Sequence, residues 1–146
     1  MAFRFSLAAV LKFRESLEQQ AYLALERIQQ EIAQMERRIQ KCEERLAVAV
    51  GRREKELRRG IASVHLQAAY DEELALQKQR EAFLAKLQEL LAKRQECLKA
   101  YEIARQKREI LDDLRTRQFD AYHREQLKRQ QKMLDDIFLS RRKRSY

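Results

Sequence analysis

Apolar residues recur every three or four positions along the first part of the chain and form one narrow stripe. Alternating steps of three and four residues are typical of the seam of a coiled coil. A stripe this narrow predicts one partner helix. Two successive steps of four, from Ala24 to Ile28 to Ile32, predict a stutter that locally unwinds the supercoil. The stripe consists of Leu7, Val10, Leu17, Ala21, Ala24, Ile28, Ile32, Met35, Ile39, Cys42, Leu46 and Ala49.

A second stripe of the same kind occupies the remainder of the chain and predicts a second long helix. Its members are Leu66, Tyr70, Leu74, Leu84, Leu87, Leu91, Leu98, Tyr101, Ile110, Leu111, Leu114, Phe119 and Tyr122. Proline is absent and only two glycines occur, so little in the chain interrupts a helix. Between the stripes, Gly60 suits the left-handed residue that ends a helix, and Ser63 suits the N-cap of the next one.

These signals predict an all-α fold, a long antiparallel two-helix coiled-coil hairpin. We expect a single domain over residues 1–146, with helix 1 at about 3–59, a turn at about 60–63, helix 2 at about 64–140 and a basic tail at 141–146. Folding at Gly60 pairs residues whose numbers sum to about 123, which places Phe3 near Asp120. Residues from Tyr122 onward then extend past the first helix.

The amino-acid composition indicates which classes of function and which partners we do not expect. The chain has 38% charged residues, a net charge of +9 and a mean hydropathy of -0.74. Many acids precede a base by four residues, which is typical of a solvated helix surface, so we expect no nucleic-acid partner. Two glycines cannot build a phosphate loop, and Cys42 and Cys97 lack partners at metal-ligand spacing. We expect no catalytic, cofactor-binding or metal-binding residues, no enzyme activity and no transmembrane segment.

The end of the second helix carries apolar residues that the first helix is not expected to reach. They are Leu127, Met133, Leu134, Ile137, Phe138 and Leu139. Exposed apolar clusters mark binding surfaces, so this end is a candidate docking element. The alternative is that the end folds back onto Phe3, Phe5 and Leu7 and covers itself.

Three segments carry a resemblance to a known family. The opening FRFSLAAVLKFRE at residues 3–15, the central GIAS at 60–63 and KMLDDIFLSRR at 132–142 together resemble the flagellar FliJ family over essentially the whole chain. The resemblance implies a soluble cytoplasmic component of the flagellar type III export apparatus, peripherally associated with the inner membrane at the flagellar base. It also implies a coiled-coil stalk that inserts its terminal end into the hexameric export ATPase and promotes its activity. Further implied partners are the cytoplasmic domain of the membrane export gate protein and the flagellar export chaperones.

The resemblance also implies two sets of site residues. The expected ATPase-binding residues are Phe3, Phe5, Leu7, Leu134, Ile137, Phe138, Arg141 and Arg142. The expected gate-binding residues are Arg45, Glu72, Leu76 and Phe83. Other readings stay open: the equivalent stalk of a virulence type III secretion system, a generic structural coiled-coil spacer, and a binder of anionic surfaces through Arg141–Arg144. The last would show a strong dependence on salt.

Overall fold

Two long α-helices make up almost the whole protein. The computed structural model describes residues 2–60 and 63–144, with α1 at Ala8–Arg59 and α2 at Ser63–Arg144. The described part of the chain contains no strand. The two helices pack against each other, which confirms the predicted all-α helical hairpin.

The helix pair divides into two compact units. The terminal unit combines Met1–Gln20 with Glu102–Tyr146, and the turn unit is Ala21–Tyr101, each taken over its described residues. The expectation of one domain over the whole chain stays a prediction.

Apolar side chains from both helices form the core of the turn unit. Ile32, Met35 and Ile39 of α1 are buried with Leu90 of α2. Half-buried apolar residues packed against this cluster are Ile28, Phe83, Leu84, Leu87 and Leu91. Burial of such side chains is the main source of free energy that holds the pair together.

Cross-helix contacts in the turn unit follow the predicted antiparallel register. The rings of Tyr22 and Tyr101 have centroids 5.9 Å apart, and Arg80 Nε lies 3.0 Å from Glu43 Oε1. In the terminal unit, the ring centroids of Phe3 and Phe119 are 5.4 Å apart, which agrees with the expectation that Phe3 lies near Asp120. The register therefore holds within each unit.

The turn begins at Gly60. This residue has a φ of +73°, and its N–H donates a hydrogen bond to the carbonyl oxygen of Leu57 at 3.3 Å. The positive φ confirms the left-handed conformation predicted for Gly60. Ile61 and Ala62, also part of the predicted turn, lie outside the described residues.

Both helices differ from their expected bounds at the terminal end. α1 begins at Ala8 and not near residue 3, because Phe5 precedes a turn in which its carbonyl accepts a hydrogen bond from Ala8 N–H at 3.2 Å. This non-helical start lets Phe3 pack against Phe119. α2 continues to Arg144, so residues 141–144 are helical and not a separate tail. The cations there complement the negative end of the helix dipole.

The α1 seam passes through different residues from those predicted. Leu11 and Leu25 are buried, whereas Val10 and Ala24 are exposed. One row of buried and half-buried positions then alternates steps of three and four without a break, with half-buried Leu17 and Ala33 beside it, so the predicted stutter is wrong. These positions are Leu11, Arg14, Glu18, Ala21, Leu25, Ile28, Ile32, Met35, Ile39, Cys42, Leu46 and Ala49.

The α2 seam also differs from the apolar stripe. Five members of the predicted stripe are exposed: Tyr70, Leu74, Leu98, Ile110 and Phe119. Charged residues at buried or half-buried positions, Glu73, Arg80 and Arg108, take part in the seam instead. Each forms an ion pair with a residue of α1, which explains how a charge is accommodated there.

Candidate functional site

The last turns of α2 form an exposed surface with no covering segment among the described residues. Every residue from 127 to 144 is exposed. Leu134, Ile137 and Phe138 have exposed fractions of 62%, 45% and 66%. They lie at i, i+3 and i+4 and therefore share one side of the helix. We call residues 127–144 the terminal surface.

The described N-terminal residues do not cover the terminal surface. Phe3 packs instead against Phe119 and Tyr122, with ring centroids 5.4 and 5.6 Å away. Phe5 is buried and Leu7 is half-buried. The alternative in which the end of α2 folds back onto these three residues is therefore wrong.

Burial divides the eight expected ATPase-binding residues into two groups. Leu134, Ile137, Phe138, Arg141 and Arg142 are exposed on the terminal surface. The other three lie in the terminal unit at the start of the chain, where Phe3 and Leu7 are half-buried and Phe5 is buried. A buried Phe5 can support the neighbouring surface but presents little area to a partner.

Cations border the apolar residues of the terminal surface. A shallow groove along one side of α2 contains Met133 and Ile137 with basic residues at both ends. The residues that line it are Arg129, Lys132, Met133, Asp136, Ile137, Ser140, Arg141 and Arg144. An apolar strip with a positive border suits a partner whose apolar cavity is edged by carboxylates.

In the turn unit, a second groove brings together three of the four expected gate-binding residues. Arg45, Glu72 and Leu76 line a groove of about 660 Å³. The remaining lining residues are Lys41, Glu44, Val48, Ala49 and Arg52. Beneath it, the Sγ of buried Cys42 donates to the carbonyl oxygen of Leu76 at 3.3 Å. Phe83 does not line this groove and packs against the turn-unit core.

Arg53 of α1 forms an ionic and aromatic cluster with Glu73 and Tyr70 of α2, near the turn. Arg53 Nε lies 2.7 Å from Glu73 Oε1, yet the two atoms do not meet the angles of a hydrogen bond. The guanidinium carbon of Arg53 lies 4.8 Å from the centroid of the Tyr70 ring. Tyr70, and then the charge of Glu73, raise the pKa of Arg53 above its ordinary value. The apolar pattern gave no signal for this cluster, because two of its members are charged.

The described residues also limit the chemistry of the chain. They contain no group of three or more His, Cys, Asp or Glu residues arranged to hold a metal ion. Neither helix, over the residues that are described, has a stretch both long and apolar enough to cross a bilayer.

The fold and its surfaces define a two-helix coiled-coil protein with exposed apolar residues. The family model described as "Flagellar FliJ protein" matches residues 3–145, essentially the whole chain. The chain belongs to the flagellar FliJ family, and it is a flagellar export-associated coiled-coil protein. Searches of curated proteins and of solved structures found no significant match.

Proposed function

We propose that this chain is a stalk of the flagellar type III export apparatus, and that its terminal surface inserts into the hexameric export ATPase and promotes its activity. One observation carries the proposal: α2 continues beyond its contacts with the start of the chain and exposes Leu134, Ile137 and Phe138. Full burial of each side chain would contribute about 1.5–3 kcal/mol. Three such side chains are enough to anchor a helix end in a ring.

The basic border supports the same contact. Arg141 and Arg142 follow the apolar residues on the last turn of α2 and are exposed. Long-range attraction between these cations and carboxylates of the ATPase would speed the encounter, while burial of the apolar residues would slow release. Phe3 and Leu7 complete the contact from the start of the chain, and Phe5 supports them from beneath.

The turn-unit groove is the proposed contact for the cytoplasmic domain of the membrane export gate protein. Arg45 and Glu72 place opposite charges beside the apolar edge of Leu76, so the groove can bind a segment that carries both apolar and charged groups. Phe83 lies farther inside and would contribute through packing. Through these two contacts the stalk would link ATPase and gate in the cytoplasm at the flagellar base, where it would also meet export chaperones.

The test compares three exposed apolar residues at the terminal surface with three elsewhere. The triple variant Leu134→Ala/Ile137→Ala/Phe138→Ala should lose binding and stimulation of the purified export ATPase. The matched control, Leu57→Ala/Val64→Ala/Leu74→Ala, removes apolar residues that are equally exposed in the turn unit and should bind normally. Circular dichroism should show the same helicity for both. Normal ATPase binding by the terminal variant would contradict the proposal.

A further inference from the structure

The terminal unit exposes a second apolar surface, away from residues 127–144. Val10 and Phe13 of α1 have exposed fractions of 41% and 58%, and Ile103 and Ile110 of α2 have 53% and 66%. Large apolar residues at these levels of exposure, grouped on one face, indicate a contact surface.

Helical geometry places these residues on one face of the unit. On one side of the seam, Leu11 and Glu15 of α1 line a groove with Arg115 of α2, and Arg115 and Phe119 line its continuation with Phe3. At about 100° per residue, the exposed apolar residues lie on the opposite side of each helix's seam. By this geometry they border the other side of the helix pair, which we call the apolar groove. Its sides are Val10, Phe13 and half-buried Leu17 of α1, and Ile103, Ile110 and half-buried Leu114 of α2.

In the antiparallel register of the terminal unit, the α1 and α2 residues that border the apolar groove lie at the same height along the helix pair. Phe3 meets Phe119 near one end, and Glu18 pairs with Arg108 farther along. Between these contacts, Phe13 and Ile110 fall within about one helical turn of each other. The apolar groove is thus a continuous strip between two helices, a shape that fits a third helix.

The charged residues in the two rows that border the apolar groove are cations, and the nearest acid, Asp113, lies one helical turn before Arg117. On the first helix and the turn before it, the row through Val10, Phe13 and Leu17 includes Ser6 and Gln20 and no acid, and the guanidinium carbon of Arg14 lies 6.0 Å from the centre of the Phe13 ring. The α2 stripe contains two cations, Lys107 and Arg117, at the helical spacing of Ile103, Ile110 and Leu114. Both cations are exposed, and neither forms an ion pair within the described part of the chain. A second copy of the chain would bring the same two cations and no acid on these stripes.

We propose that the apolar groove docks one amphipathic helix of a partner protein. The apolar stripe of that helix would pack between Phe13 and Ile110, and its Asp or Glu residues would pair with Lys107 and Arg117. Charge complementarity selects this acidic helix over a second copy of the chain. The inference goes beyond the proposed ATPase and gate contacts and does not depend on either.

The probes are two designed amphipathic peptides of roughly 18 residues, long enough to span the groove. Both peptides have the same apolar stripe. The residues beside the stripe are Glu in one peptide and Lys in the other. Binding to the full chain is followed by fluorescence anisotropy. The Glu peptide should bind at least about tenfold more tightly than the Lys peptide. The variant Phe13→Ala/Ile110→Ala should bind the Glu peptide about tenfold or more weakly than wild type does, whereas Leu57→Ala/Leu74→Ala should bind it normally.

Charge variants separate local pairing from the overall positive charge. Lys107→Glu/Arg117→Glu should reverse the preference toward the Lys peptide. Arg37→Glu/Arg38→Glu makes the same change in net charge at exposed positions of the turn unit and should keep the preference for Glu. Equal binding of the two peptides, or equal effects of the two charge variants, would overturn the proposal.

Two further measurements exclude other occupants. In sedimentation velocity, wild type should remain monomeric at micromolar concentration, and a dimer lost in Phe13→Ala/Ile110→Ala would assign the groove to a second copy. The same variant should keep ATPase binding, while the terminal triple variant should keep peptide binding. Loss of ATPase binding by Phe13→Ala/Ile110→Ala with intact peptide binding would place the groove inside the ring and overturn the inference.

Discussion

Arg108 of α2 donates hydrogen bonds to both carboxylate oxygens of Glu18 of α1, through Nε and through Nη2, the latter at 3.2 Å. Its Nη1 donates to Asp112, one turn further along α2, at 2.6 Å. Both members of the cross-helix pair lie at seam positions, where an apolar residue is the usual occupant. This pair, held by two parallel hydrogen bonds, fixes which residues of the two helices meet in the terminal unit.

Arg108→Lys should therefore lower the free energy of unfolding by about 1 kcal/mol, because lysine cannot reproduce the planar, two-pronged contact. The measurement is chemical unfolding followed by circular dichroism. The control is Arg105→Lys, whose partner Glu109 lies 3.5 Å away on an exposed surface. That change should cost less than about 0.5 kcal/mol. Equal effects would mean that the Glu18–Arg108 pair adds nothing beyond a surface contact.

The same pair predicts how stability responds to alkaline pH. The hydrogen bond to Glu18, followed by that to Asp112, raises the pKa of Arg108 above its ordinary value. A group whose pKa is raised in the folded state stabilises fully below its unfolded pKa and loses that effect only as pH rises through the folded value. The difference in unfolding free energy between wild type and Arg108→Lys should thus stay constant from pH 7 to pH 9. A difference that shrinks over this range would contradict the assignment.

The two glycines should respond oppositely to alanine. Gly60 has a φ of +73°, where a Cβ is strained, so Gly60→Ala should destabilise by about 1 kcal/mol. Gly51 lies inside α1, and a Cβ there would meet no atom within 4 Å. Gly51→Ala should therefore stabilise by about 0.5–1 kcal/mol. Thermal melting of the two variants gives the comparison, and stabilisation by Gly60→Ala would show that the turn does not require a left-handed residue.

The basic last turn of α2 should act on the rate of encounter with the ATPase. Replacing all four residues of Arg141–Arg144 by Gln should slow association roughly tenfold at low ionic strength, with a smaller effect in high salt. Arg37, Arg38, Arg58 and Arg59 are exposed, and their replacement by Gln is the control with the same loss of charge. Surface plasmon resonance separates the two rates. A sharp rise in dissociation with unchanged association would instead make the last turn a docked element.

The fold could be predicted because its strongest signals are local. The absence of proline, the Gly60 stop signal and the three-four spacing all point to two paired helices, and the Tyr22–Tyr101 contact follows the predicted register. The local pattern does not reveal where α1 begins. Phe3 and Phe5 precede the helix, and Phe3 packs against Phe119, a long-range contact that no local pattern reveals.

The apolar pattern misplaces the seam for a specific physical reason. It passes over Glu18 and runs through Leu17 and Ala24, which creates an apparent stutter. The structure buries Leu25 and accommodates Glu18 by pairing it with Arg108. Such a charge belongs in the seam only when its partner on the other helix is known, so the sequence of one helix cannot reveal it.

The candidate surfaces were predicted in part. Leu134, Ile137 and Phe138 could be recognised because they lie past the expected end of the first helix. The apolar pattern does not reveal the apolar groove, since it places Ile110 in the seam and leaves Phe13 outside both stripes. Distinguishing a seam residue from an exposed neighbour about 100° away requires the register of both helices.

Insertion of the terminal surface into the export ATPase is tested most directly by site-specific photo-crosslinking with the assembled ATPase. A photoreactive phenylalanine analogue would replace Phe138 on the terminal surface, or Leu74, which is exposed in the turn unit. Insertion of the terminal surface predicts a crosslink to the ATPase from position 138 and none from position 74. Crosslinking from position 74 with none from position 138 would contradict insertion of the terminal end.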